Sequence, residues 1–579
     1  MIKIRDLEFE YFERDEEGNL TDMVNAIRGI HFDAKKGELI ALAGVNGSGK
    51  STFAKVLNRL LVPLEGTVEI DGMDAGKEEN ILPIRKTVGM VFQNPDHQLI
   101  GSIVEEDVAF GAENIGVPFP ELEKRVQQAV ETVGIDRYAS LANLSGGEKQ
   151  KVAIAGVLAM NPKYIVLDEA TSMLDPKSRA EILQVMKNLQ EQGFTIILIT
   201  HMMEELLLAD WVYIFHKGKI VKKGNRDLLY HQGDVLKEYG LESPVFVRIV
   251  NGLYEAKVLR TKQLYTVEEL VARIRTDYPY AFLKEKNLPK PTQKPHTYLP
   301  TQAIVFQNVS FAYENKQVIS SVSFSVAKGE FVGIAGPSGA GKSTILQMIP
   351  GLLRPQDGVI FVDGYDLTDS ATNLSMIRQK VGYVFQYPEQ QLFANNVFED
   401  VVFGPRNLGI SEVEAEKRAY EAISLMGLSQ DVYDMPTEQL SGGQRRRVAI
   451  AGVIAMQPEY LILDEPLAGL DPIGRNELLQ ILCALHKDAG ITIVMVSHDL
   501  EAIAEYADTL IMVDNGTVQY QGRPAETFYE MWYHRRRDYE IPVSMQIMAR
   551  LREQGMQIPC CISEEKACVQ EIVKAIRNR

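Results

Sequence analysis

The stretch Gly44-Val45-Asn46-Gly47-Ser48-Gly49-Lys50-Ser51 constrains this chain most, because it has a twin, Gly336-Pro337-Ser338-Gly339-Ala340-Gly341-Lys342-Ser343. Each copy follows an apolar run that reads as a buried strand, Leu39 to Ala43 and Phe331 to Ala335, and each opens an apolar helix. After the first copy the helical face is Phe53, Val56, Leu57, Leu60 and Leu61, spaced i, i+3, i+4, i+7, i+8. Strand, glycine-rich turn and helix with the spacing G-x-x-x-x-G-K-S form a phosphate-binding loop. Its glycines let successive N–H groups point inward at an anion, and the helix start adds unpaired donors and partial positive charge. Lys50 and Lys342 reach the terminal phosphates, and the Ser51 and Ser343 hydroxyls are placed to ligate Mg²⁺. Thr52 and Thr344 follow in the same turn. One such motif can arise by chance; two in matching contexts cannot.

A chain of 579 residues is too long for one core. The landmarks repeat at a nearly constant offset: Lys50 and Lys342, Gln93 and Gln386, Asp168 and Asp464, His201 and His498. A period this long is a domain duplication. It continues past the nucleotide domains, since Thr266-Val267-Glu268-Glu269 and Ser563-Glu564-Glu565 each head a helix, the first with the form of a capping box. The fold expected is α/β: two phosphate-loop domains, each followed by a small helical appendage. The boundaries expected are a nucleotide domain over 1–245, an appendage over 246–277, a proline- and lysine-rich linker over 278–301, a second nucleotide domain over 302–540 and a second appendage over 541–579. The appendages either pack on their own domain or serve contact between the halves. The linker is a semi-extended tether that keeps the halves at high effective concentration.

Composition removes several classes. No apolar run approaches a membrane span, and Met1-Ile2-Lys3-Ile4-Arg5-Asp6 lacks the apolar core of a signal peptide, so a cytosolic protein, or one at a membrane through a partner, is expected. A net charge of −17 argues against wrapping nucleic acid. Cys560, Cys561 and Cys568 lack zinc-site spacing and read as reduced structural thiols. His534-Arg535-Arg536-Arg537 reads as a solvated basic turn.

Each half has a second apolar strand ending in acids, Tyr164 to Asp168-Glu169 and Tyr460 to Asp464-Glu465. The C-terminal ends of such strands are where α/β sheets place ligands. Asp168 and Asp464 suit Mg²⁺; Glu169 and Glu465 suit a general base that orients water on the γ-phosphate. A further strand in each half ends in His201 or His498, able to hydrogen-bond that phosphate. Leu144-Ser145-Gly146-Gly147-Glu148 and Leu440-Ser441-Gly442-Gly443-Gln444 open helices and make a second anion site in each half. Its economical use is to complete the other half's nucleotide site.

Loop, signature, acid pair and histidine together resemble a twin ATP-binding-cassette (ABC) ATPase along nearly the whole of both halves, which implies two P-loop NTPase domains of α/β fold, each with a mixed or parallel sheet core and a helical signature subdomain. The resemblance implies that Tyr11 and Tyr313 stack on adenine, and that Gln93 and Gln386 link Mg²⁺ and attacking water to a transport partner. It implies that Leu174-Asp175 and Leu470-Asp471 form the crossing loops. Ser145, Gly146 and Gly147 would face ATP held by Lys342, and Ser441, Gly442 and Gly443 would face ATP held by Lys50. With no catalytic position degenerate, two working sites are expected.

The residues after each glutamine, Asn94-Pro95-Asp96-His97-Gln98 and Tyr387-Pro388-Glu389-Gln390-Gln391, resemble the ATPases of energy-coupling-factor (ECF) importers, here fused. That implies vitamin or transition-metal uptake, an integral-membrane coupling subunit, a substrate-binding membrane subunit, and a peripheral position on the cytoplasmic face of the cell membrane. Glu105, Glu106, Asp107, Glu399 and Asp400 would complement arginines of the coupling subunit, or simply form a solvated helix face. The rival class is a soluble twin cassette acting on ribosomes or DNA. Ribosomal factors usually carry an Asn-His where this chain has Ser172-Met173 and Ala468-Gly469, and repair ATPases insert zinc modules or coiled coils that are absent here.

Overall fold

The first half lays down two sheets whose strands are the alternating and continuous apolar runs of the sequence. In the computed structural model, which describes residues 1–14, 20–231, 233–282, 302–314, 316–534 and 539–577, one sheet is antiparallel. Its order is Leu20–Ala34, Ile2–Arg14, Glu65–Ile70, Met73–Asp74. The other runs Lys219–Gly224, Trp211–His216, Leu39–Ala43, Thr195–Thr200, Tyr164–Asp168, Val88–Val91, parallel except at the first pair. The central strands are buried at every position, as two-sided coverage requires. The loop strand and the acid strand flank Thr195–Thr200, so their C-terminal ends open on one edge.

Helix Lys50–Leu57 joins the two sheets. Phe53 sets its ring edge-on against Phe32 at 5.1 Å and Phe215 at 5.4 Å. Full burial of such a side chain is worth about 1.5–3 kcal/mol. The helix is shorter than the apolar spacing predicts. Asn58 ends it, its side chain bonding the Val88 carbonyl, and Arg59 turns left-handed at φ 59°. Leu60 is therefore exposed rather than part of the core face.

The second half repeats the plan. Its antiparallel sheet is Lys316–Ala327, Gln302–Tyr313, Asp357–Val362, Tyr365–Asp366. Its main sheet runs Val381–Val384, Tyr460–Asp464, Thr492–Val496, Phe331–Ala335, Thr509–Asp514, Thr517–Gly522. Phe306 and Phe324 stack at 4.4 Å in its core.

Each half adds a helical subdomain, Val104–Asn114, Phe119–Val133 and Gly146–Ala159 in one, Val397–Asn407, Glu412–Leu425 and Gly442–Ile454 in the other. Leu122, Val126, Ala129, Val130 and Val133 make one buried helical face, and Gly134 ends that helix in the left-handed conformation. The acids read as facing either a partner's arginines or solvent have bonds within their own half. Asp107 Oδ1 accepts from the Ile100 and Gly101 N–H groups, and Asp400 Oδ2 from those of Phe393 and Ala394. Glu105 pairs with Arg137, Glu399 with Arg406 at 2.6 Å, and Glu106 accepts from the Ser102 N–H.

The chain divides into two compact units, Met1–Leu270 with Asp471–Ile473, and Val271–Leu470 with Gly474–Arg579. The first appendage forms helices Val245–Glu255 and Val267–Asp277. Thr266 caps the second of these by accepting from the Glu269 N–H, while the Glu269 carboxylate reaches back to the Tyr265 N–H. In the first unit Tyr265 bonds Asp227 and lies under Arg226 at 3.6 Å, tying the appendage to its nucleotide domain. The second appendage, Val543–Glu553 and Glu565–Arg577, is held by Ser544 to the Ser563 carbonyl and by Glu553 to Trp532. Within the second unit Phe282 bridges Met556, and the Tyr280 hydroxyl donates to the Ile576 carbonyl. The linker after Phe282 and the arginines 535–537 lie outside the described residues. The four cysteines are unpaired thiols. Among the described residues no helix is long and apolar enough to cross a membrane.

Candidate nucleotide sites

Both glycine-rich loops close into a cradle at the end of their strand. Gly49 and Gly341 start the following helices at φ 99° and 95°. A Cβ at Gly49 would stand 2.5 Å from the Ala26 carbonyl oxygen, and one at Gly341 2.5 Å from Ile319 Cδ1. Glycine is required there by backbone angle and by space together. Lys50 Nζ donates to the carbonyls of Gly44 at 2.7 Å and Val45 at 2.9 Å; Lys342 does the same to Gly336 and Pro337, both at 2.8 Å. The ammonium thus spans the loop it belongs to. Burial lowers the Lys50 pKa, opposed by the nearby Glu169 and Asp168 carboxylates. Asn46, Gly47, Ser338 and Gly339 occupy the turns between.

The acids follow as the topology requires. Ser51 Oγ donates to Asp168 Oδ1 at 2.9 Å, and the Ser343 hydroxyl beside Asp464 favours that carboxylate's charge. Burial raises both aspartates, Asp168 to about 6, and Asp464 Oδ1 is buried with no hydrogen-bond partner among the described residues. A hydroxyl beside a desolvated carboxylate with an unused oxygen is a donor set that fits a hard divalent cation.

Glu169 and Glu465 both sit at φ 51°, a strained angle for a residue with a Cβ. Their N–H groups bond across to the neighbouring strand, at Ile199 and Val496. This conformation, costing about 1–3 kcal/mol, turns each side chain off the strand end. In the first half Gln93 Nε2 donates to Glu169 Oε2 at 3.1 Å, His201 Nδ1 stands 3.3 Å from the same oxygen, and Lys50 Nζ is 3.9 Å from Oε1. Burial disfavours the Glu169 charge, yet His201 and Lys50 outweigh it and leave the pKa below its ordinary value. In the second half the His498 N–H donates to Glu465 Oε2 at 3.1 Å, and its Nε2 lies 3.1 Å from Oε1. Burial dominates and raises Glu465 to about 7. Gln386 is exposed, and it makes no hydrogen bond to Glu465.

Both signature serines cap their helices with a full capping box. Ser145 Oγ accepts from the Glu148 N–H, and Ser441 Oγ from the Gln444 N–H, both at 3.3 Å. Ser145 also donates to the Glu148 carboxylate at 2.7 Å. Gly146 and Gly442 leave open space at these helix starts, as does Gly443, whereas Gly147 is packed under Ser178. Tyr11 is partly exposed beside its loop, with its hydroxyl 3.2 Å from Thr52 Oγ1. Tyr313 is exposed and set edge-on to Phe311.

Three participants escaped the sequence. Thr171 Oγ1 donates to the buried Glu205 at 2.6 Å, just behind Glu169. Tyr383 reaches Asp464 at 3.4 Å where the first half has Met90. Arg446 grips the glutamine loop of the second half. Only Arg446 carried a signal, as one of three arginines in a helix that buries its inner face.

A family model described as "ABC transporter" matches residues 27–172 and 319–468. A protein of Methanosarcina mazei, named as an ABC transporter ATP-binding protein, is 35% identical over 95% of this chain and 95% of its own. YkoD of Bacillus subtilis, named for HMP/thiamine import, is 30% identical over 91% of this chain and 92% of its own. Among solved structures, CbiO1 of Clostridium perfringens, described as part of the ABC transporter complex CbiONQ, is 37% identical, covering 41% of this chain and 94% of its own at a TM-score of 0.38. Two matched cassettes with their phosphate loops and acid pairs, and relatives of nearly full length, make the chain a member of the ABC transporter family: an ATP-binding, ATP-hydrolysing transporter component with both cassettes in one polypeptide.

Proposed function

We propose that this chain is the energy-coupling ATPase of an ECF-type importer for a vitamin or transition-metal ion, acting at the cytoplasmic face of the membrane through a coupling subunit and a substrate-binding subunit. The observation that carries the reading is an unpartnered apolar patch following each glutamine loop. Ile100 is 62% and Phe110 48% exposed, and at the equivalent positions Phe393 is 64% and Phe403 45% exposed. Large exposed apolar side chains such as Phe393 and Phe403, which meet edge-on at 4.7 Å, mark a docking surface. Gln93, on the same segment, touches Glu169, so a subunit seated there has a direct route to the base. The thiamine-import name of the B. subtilis relative supports the import direction. The net charge of −17 disfavours a ribosomal or DNA role.

In the proposed chemistry the loop N–H groups and Lys50 or Lys342 hold the triphosphate. Ser51 with Asp168, and Ser343 with Asp464, would hold Mg²⁺, whose charge offsets that of the β- and γ-phosphates. Glu169 and Glu465 orient the attacking water and take its proton on a carboxylate oxygen. His201 and His498 hold those carboxylates and hydrogen-bond the γ-phosphate. Each nucleotide is completed by the signature helix start of the other half, so binding favours a closed arrangement that hydrolysis releases. The experiment is purification of the tagged chain from membranes. Copurifying integral-membrane subunits, and loss of membrane association when they are deleted, are expected; co-sedimentation with ribosomes would refute the proposal.

A further inference from the structure

Arg446 occupies the helix that begins at the second signature, and its side chain is almost wholly buried. Its Nε and Nη2 form a fork on Glu389, at 3.1 Å to each carboxylate oxygen. Glu389 lies in the short turn Pro388–Gln391, directly after the Gln386 loop. The remaining nitrogen, Nη1, donates to the carbonyls of Ala468 and, at 3.5 Å, Pro466. Those residues follow Glu465 and lead into Leu470. One rigid guanidinium therefore spans the two segments.

Among the described residues the position equivalent to Arg446 makes no such span in the first half. Gln150 takes the equivalent helix position and donates to the Phe92 carbonyl at 3.2 Å, leaving its own oxygen without a partner among the described residues. Asp96, the counterpart of Glu389, pairs instead with Lys149, the neighbour of Gln150, at 2.6 Å. The segment after Glu169 is fastened from its far side, where Thr171 bonds Glu205 and Arg179 holds the Leu174 carbonyl.

We infer that Arg446 is a positioning residue that makes the glutamine loop of the second half and the backbone after Glu465 move as one, a linkage Gln150 does not make in the first half. A planar fork meeting a carboxylate at one end and carbonyls at the other transmits displacement because neither end can shift without breaking a charge-assisted bond. A partner seated on the glutamine loop would then bear on the placement of Glu465 far more than on that of Glu169. The inference rests on Glu465 being the base in the proposed function.

The test uses the full chain carrying Glu169→Gln, so that turnover reports the second half. There Arg446→Gln, which installs the first half's residue, is expected to lower kcat about tenfold with KM for ATP within about twofold, since placement is lost and nucleotide binding kept. Arg446→Lys is expected not to restore kcat, because an ammonium cannot bridge both ends. Glu389→Gln alters only the glutamine-loop end, yet should speed amide hydrogen exchange across 466–470. It also carries the test if the arginine variants fail to fold. Unchanged exchange at 466–470 in Glu389→Gln, or unchanged kcat in Arg446→Gln, overturns the inference. Glu465→Gln in the same background separates the two readings: continued turnover there would condemn the base assignment instead.

Discussion

The two halves hold the same glutamate at the same strained angle and surround it differently. Glu169 is met by a glutamine, a histidine and a lysine, and its charge is favoured. Glu465 is enclosed, held through the His498 backbone and ring, and its charge is disfavoured. The contrast extends outward. Where the first helical subdomain has the polar cluster Glu105, Gln127 and Arg137, the second has Phe398 stacked on Tyr420 and Tyr420 beside Tyr433. The helix N–H groups of Glu105 and Phe398 bond the carbonyls of Arg137 and Tyr433, which fixes the equivalence. Duplication has kept the phosphate loops, capping boxes and backbone strain, and has rebuilt what touches the base and the outer surface. Equal motifs therefore do not imply equal sites.

The largest effect tests what the halves share. Glu169→Gln combined with Glu465→Gln is expected to bind ATP while hydrolysis falls at least about a hundredfold, the usual worth of a positioned base. Near-normal phosphate release would show the proton goes elsewhere. Next, Lys50→Ala and Lys342→Ala should each abolish tight binding of one nucleotide and leave the other, read as stoichiometry in equilibrium dialysis. Loss of both from either substitution would break the independence of the two loops.

The single glutamate variants sharpen the contrast through pH. A base works as its carboxylate, so its turnover rises as pH climbs through its pKa. With Glu169→Gln, activity rests on Glu465 and should rise several-fold between about pH 6 and 8, in keeping with a pKa of about 7. With Glu465→Gln, activity rests on Glu169, whose pKa is depressed, and that rise should be missing. Superimposable profiles would erase the asymmetry.

Much of the site was legible because it is local. A loop whose N–H groups must converge on phosphate needs glycine at fixed spacing, and a strand that must release carboxylates at its end writes them directly after an apolar run. The fold class followed from the strand, glycine loop and helix that recur in each half. The helix after the first loop stops short of Leu60 and Leu61, and nothing in their apolar spacing announces the left-handed turn at Arg59. The glutamates' positive φ was invisible too, because it is imposed by a bond to the next strand. The long-range bonds around the site, Gln93 to Glu169 and Arg446 to Glu389, span 76 and 57 residues, and no local pattern encodes such pairings. The acids after each glutamine left two readings open for the converse reason. Their charge suggested a partner, while their position at a helix start gave them loop N–H groups and arginines of their own half.

The smallest effect concerns the acid that follows the histidine strand in each half. In the first half it is Glu205, almost wholly buried and accepting from Thr171. Burial raises its pKa, opposed by Arg179 and the hydroxyl of Thr171. In the second half the acid has moved to Asp499, three residues earlier in the repeat, where it pairs with Arg475 and caps helix Leu500–Tyr506 through the Ala502 N–H at 2.9 Å. Removing a buried acceptor leaves the Thr171 hydroxyl desolvated without its partner, so Glu205→Ala should cost about 2–3 kcal/mol. Asp499→Ala loses a cap and a part-exposed pair, about 1 kcal/mol. In thermal melts of the full chain, at roughly 2–4 °C per kcal/mol for a unit of this size, the first substitution should lower its transition about twice as far as the second. Equal shifts would mean the burial difference between the two acids carries no energetic weight, and the rebuilt surroundings of the glutamates would then have to be argued from charge alone.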